Sequence, residues 1–173
     1  MTTPGQQQPG ASFWIDTEAT TLREADHLLQ SLTAELALPE GVFGCTHLVR
    51  GERPRVVLSF TGASEEARRG LSAKGYEVTV GVPDAAGRAV VYPGVAGLTG
   101  AVTVAELVAG SAIDRVAVLG GSGEPAPEQR IVTRDHVRPE WRDGELVLTA
   151  MPAAGGVLVP FEVPDPTPCC ADH

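Results

Sequence analysis

Two of the three cysteines and one of the four histidines fall in Cys169-Cys170-Ala171-Asp172-His173, and the third cysteine sits in Phe43-Gly44-Cys45-Thr46-His47. Thiolate and imidazole are the donors that a borderline-soft cation such as zinc selects, and the same groups serve redox and nucleophilic chemistry. Cys45 and His47 are two apart in a segment that reads as a strand, so their side chains leave one face and can converge on one ion. A tail folded back over that strand would add Cys169 or Cys170 and His173, completing a four-ligand shell for zinc or another transition metal. The leading expectation is therefore a small cytoplasmic metal-binding accessory protein with Cys45, His47, Cys169, Cys170 and His173 as its metal ligands. The plain alternative makes Cys45 a small buried apolar residue, His47 an ordinary hydrogen-bonded histidine and the tail disordered.

Two further readings stand beside this one. One is an enzyme acting on a small-molecule ligand through a metal-bound water or the Cys45 thiol, with His47 or His136 as the base. Asp135 does not orient His136 in that scheme, because neighbours on a strand point to opposite faces. No nucleophile elbow, caspase-like or papain-like signature surrounds any cysteine. The other reading is a non-catalytic interaction module whose exposed sheet edges pair in a homodimer.

Gly120-Gly121-Ser122-Gly123 follows a strand, where phosphate-binding loops occur, but acidic, Pro-containing Glu124-Pro125-Ala126-Pro127-Glu128 comes next and no helix can open there. A flexible turn is the better account. Arg130, Arg134, Arg138 and Arg142 are spaced four apart. Pro139 and the β-branched Ile131, Val132 and Thr133 favour extended chain, which still places the four on one face, as a small anion site or simply a solvated one.

These residues must be positioned by a chain of 173 residues, 43% apolar and 20% charged, enough for one sizeable core or two small ones. Thirteen basic against twenty-two acidic residues give a net charge of −9, which disfavours nucleic acid and anionic lipid as partners. Apolar runs fall far short of the roughly 18 residues that span a bilayer, so neither a membrane span nor a secretory signal is expected and the location defaults to the cytoplasm. Three cysteines without framework spacing suggest reduced thiols.

Residues 1–10 carry nothing to bury beyond Met1 and read as a disordered leader. Phe13, Trp14 and Ile15 predict a strand. Thr21 with Glu24 reads as a capping box, and Leu22, Ala25, Leu28, Leu29, Leu32 and Leu36 recur at helical spacing until Pro39. Val42 to Val49 and Arg55 to Phe60 predict a hairpin, Ser64 caps a second helix stopped by Gly75, and Tyr76 to Val82 alternates as a strand. The expected class is α+β. Its N-terminal half, 11–83, is a ferredoxin-like βαββαβ unit of four antiparallel strands and two helices. The second half, 84–163, is a βαβ segment with a helix capped by Thr103 and Glu106, then a C-terminal β-meander of 131–136, 145–151 and 157–163 turning at Asp143-Gly144 and Gly155-Gly156. Residues 164–173 form a Pro-rich extended tail.

Overall fold

Thr21 separates the first strand from the first helix: its side-chain oxygen accepts the Glu24 amide at 3.2 Å, and the Glu24 carboxylate returns to the amide of Thr20. From that cap, Leu22–Glu35 (α1) turns Ala25, Leu29 and Leu32 inward, the face that its apolar spacing predicts. The computed structural model describes residues 12–164, which divide into two units with the boundary after Pro93. The leader at 1–10 and all of the tail except Pro164 lie outside the described residues.

The first unit places Ser12–Asp16 (β1), α1, Phe43–Val49 (β2), Arg55–Thr61 (β3), Glu65–Ala73 (α2), Val78–Val80 (β4) and Arg88–Val91 (β5) in chain order. Its strands lie side by side as β4-β1-β3-β2-β5, every pair antiparallel. Alternation sends Phe13, Ile15, Val56, Leu58 and Phe60 to one face, where they pack with Ala25, Leu29, Leu32, Ala67 and Leu71 of the two helices. Phe13 and Phe60 are direct cross-strand partners with ring centroids 5.6 Å apart.

In the second unit Thr103 and Glu106 form the capping box that their spacing predicts, starting Val104–Gly110 (α3) directly after Ala101–Thr103 (β6). Arg115–Val118 (β7), Arg130–Val132 (β8), Glu140–Arg142 (β9), Glu145–Ala153 (β10) and Val157–Pro160 (β11) follow. Asp143 and Gly144 both have positive φ, the geometry of a tight hairpin turn, and join β9 to β10. Gly155 and Gly156 do the same between β10 and β11.

Strand β10 organises this unit. Its Leu146 and Ala150 carbonyls accept the amides of Asp114 and Leu119 on the β7 side, and its Thr149 carbonyl accepts the Phe161 amide on the other. Because successive backbone groups point to alternate edges, β9 and β11 share one edge of β10, β9 along Glu145 to Val147 and β11 from Ala150 onward, and they part at Thr149.

A ferredoxin-like sheet of four strands with two helices is therefore not the architecture. Among the described residues the structure is mostly strand, with eleven strands and three α-helices, 34% strand against 22% helix, in a mixture of parallel and antiparallel pairs. In the first unit β5 joins the edge of β2, where Val90 packs into the core under the helices and Arg88 on the same face reaches Asp26 of α1. The meander differs for a local reason: Arg134 and Asp135 have positive φ, so the strand at Ile131 ends at Val132 and pairs parallel to β11. No helix among the described residues is long and apolar enough to cross a membrane.

Candidate functional site

Cys45 and His47 do emerge on one face of β2, beside Ser59, the direct partner of Cys45 on β3. Cys45 is 4% and His47 2% exposed, and Ser59 is also buried. The imidazole is used at both nitrogens: Nδ1 lies 2.9 Å from the Ala85 carbonyl and Nε2 2.7 Å from the Ser59 hydroxyl. A carbonyl only accepts, so Nδ1 carries the proton. Burial pushes the imidazole's pKa below its ordinary value, against the opposing pull of the Ala85 and Ala86 backbone, so the ring is neutral and Nε2 accepts the Ser59 proton. The ring ties the Asp84–Gly87 turn to the sheet.

That arrangement corrects the metal-binding reading. Among the described residues no group of three or more His, Cys, Asp or Glu side chains could hold a metal ion. The sequence pattern places Cys45 and His47 together, but the Nε2 lone pair that a cation needs is spent on Ser59. Cys169, Cys170 and His173 lie outside the described residues. As a nucleophile Cys45 is presented to no solvent, and its neighbour His47 is already committed at both nitrogens.

His136 belongs to the second unit, where its Nε2 lies 2.7 Å from a Glu162 carboxylate oxygen and so carries a proton. Asp135 instead accepts the Gly100 amide at 2.9 Å. The arginine stripe is broken by the turn at Arg134, which leaves Arg130 on β8, Arg138 ahead of β9 and Arg142 at the end of β9.

One buried polar group that sequence reading passed over is Asp26. It falls four residues after Leu22 and three before Leu29, on the inward face of α1, and a charge on an apolar stripe is a signal of a buried partner. The partner is Arg88 on β5, whose two terminal nitrogens meet the two Asp26 oxygens at 2.6 and 3.0 Å while Nη1 also donates to Thr46 at 3.1 Å.

The other overlooked feature is the margin of the first sheet. Strand β4 pairs Val80 with Phe13 and Val78 with Ile15, and Gly81 donates to the Ser12 carbonyl at 2.8 Å. By antiparallel alternation the backbone N–H and C=O groups of Val78 and Val80 point away from β1. Among the described residues β4 has no strand partner besides β1. Val80 is 75% and Val82 60% exposed, and no charge intervenes between Glu77 and Asp84. Comparison with family models, curated proteins and solved structures finds no match to this chain.

Proposed function

We propose that the protein is a non-catalytic interaction module that pairs with a second copy of itself through β4. The observation that carries this reading is the uncharged, valine-rich margin at Val78–Val82, which among the described residues has no second strand partner, since long-lived monomers blunt such edges with charge, proline or cover. Self-pairing suits it better than a charged peptide. An antiparallel pair centred on Val80 sets Val80 against Val80, Val78 against Val82 and Glu77 against Pro83, so no like charges face each other although the chain carries −9. The same register puts the outward backbone groups of Val80 opposite their equals, as an isologous two-fold contact requires.

Sedimentation equilibrium at near-physiological salt tests it. A mass near twice that of the chain is expected, falling to the single-chain mass in Val80→Lys, which adds charge, and in Val80→Pro, which removes an outward N–H while the ladder to β1 keeps its bonds. A single-chain mass for the unaltered protein at tens of micromolar would overturn the reading.

A further inference from the structure

The parting of β9 and β11 along one edge of β10 opens a crevice of about 320 Å³ at Thr149, within the second unit. That volume lies at the lower end of small-molecule sites, which run from roughly 300 to 1,000 Å³ and combine apolar walls with a few convergent polar groups. Both ingredients are here. Arg138 and Arg142 line the crevice, and the Arg142 guanidinium is steadied by the Thr149 hydroxyl at 3.0 Å. Across from them stand Leu119 and Phe161, each more than half exposed and lying where β7 and β11 run out.

From this geometry we infer that the crevice binds a small amphipathic anion, a molecule with one carboxylate or phosphate group and an apolar, ring-sized body. The anionic group meets Arg138 and Arg142, whose planar forks match two oxygens of either anion. The body covers Phe161 and Leu119, which otherwise stay in contact with water. Two carboxylates also border the crevice. Glu162 is bound by His136 at 2.7 Å, and Glu140 stands 3.4 Å from Arg142, at the long limit of a hydrogen bond, a contact that a ligand oxygen at ordinary distance outcompetes.

The test titrates the full chain with 8-anilinonaphthalene-1-sulfonate, an anionic aromatic fluorophore, and competes it with phenyl phosphate, benzoate and neutral benzyl alcohol. Saturable binding at one site per chain is expected, weakened about tenfold by Arg142→Gln or Arg138→Gln and also weakened by Phe161→Ser, with circular dichroism verifying that each variant is folded. Displacement by phenyl phosphate alone assigns a phosphate-bearing ligand, and displacement by benzoate as well extends the class to carboxylates. Unsaturable binding, equal affinity in both arginine variants, or equal competition by benzyl alcohol would overturn the inference. So would loss of the signal in Val80→Lys with Arg138 and Arg142 intact, since the probe would then report the β4 edge.

Discussion

Asp26 and Arg88, 62 positions apart in the chain, meet inside the first unit as a two-pronged ion pair, with Arg88 Nη1 and Nη2 at 2.6 and 3.0 Å from Asp26 Oδ1 and Oδ2. Both side chains are about nine-tenths buried. The pair fastens α1 to β5, the strand that carries the sheet past the hairpin of β2 and β3. Breaking it from one side strands the other charge: Arg88→Met or Asp26→Leu is expected to cost about 3–5 kcal/mol in urea unfolding. The double variant Asp26→Leu with Arg88→Met should recover most of that loss, because replacing a buried pair by apolar groups is often close to neutral. Equal loss in the double variant and the singles would contradict this account.

Stability should fall as the solution is acidified through the range of His47. The unfolded chain takes up a proton near pH 6.5, whereas burial holds the folded ring's pKa lower. The unfolded state therefore binds more protons between the two values, so the contribution of His47 is complete above about pH 6.5 and is lost as the pH drops through the folded pKa. Urea midpoints measured from pH 7.5 down to 5 should decline, and His47→Gln should flatten that decline. An identical slope in the variant would remove His47 as its source.

Cys45 should resist alkylation. In a chain carrying Cys169→Ser and Cys170→Ser, iodoacetamide should label Cys45 at least about a thousandfold more slowly in buffer than in denaturant, because reaction must wait for opening of a stable core. Mass spectrometry reads the rate. Rapid labelling in buffer would mean that the thiol reaches solvent and would reopen a nucleophilic role.

Gly94 and Gly100 should respond differently to a methyl group. Both have positive φ, 86° and 61°, but a Cβ at Gly94 would overlap the Gly110 carbonyl oxygen while one at Gly100 meets open space. Gly100→Ala should cost about 1–2 kcal/mol for backbone strain alone, and Gly94→Ala distinctly more, since the backbone of Gly110 has to move. Thermal denaturation of the two variants side by side compares them.

Local chemistry was legible in the sequence wherever a few neighbouring residues decide the outcome. Thr103 with Glu106, Ser64 before Glu65 and Asp143-Gly144 each specify a cap or turn by themselves, and each is found in place. Pairing was less legible, because period-two alternation says which face a side chain takes and is silent about the neighbouring strand. The segment from Arg88 is expected in the βαβ unit of the second half, yet Arg88–Val91 lies beside β2, where Arg88 meets Asp26 of a distant helix. Ile131 similarly promised an antiparallel place in the meander, but it pairs parallel with β11 and finds its antiparallel neighbour in β6. At the candidate site, the spacing of Cys45 and His47 correctly put them on one face, but Ser59, the residue that occupies His47, comes from the next strand. The edge at Val80 was hidden for the opposite reason: exposure depends on which strand is absent from one side, and alternation alone does not reveal that.

Strand β10 also has a kinetic consequence. Three other strands, β7, β9 and β11, hydrogen-bond to this one nine-residue segment, and among the described residues β7 has no other strand partner. Local opening that frays β9 or β11 separately should expose their amides on a short timescale, while the amides of Leu148 and Ala150 on the β7 side wait for disruption of the whole unit. Within the second unit, the slowest-exchanging amides should therefore trace β10, marking it as the last segment to let go on unfolding.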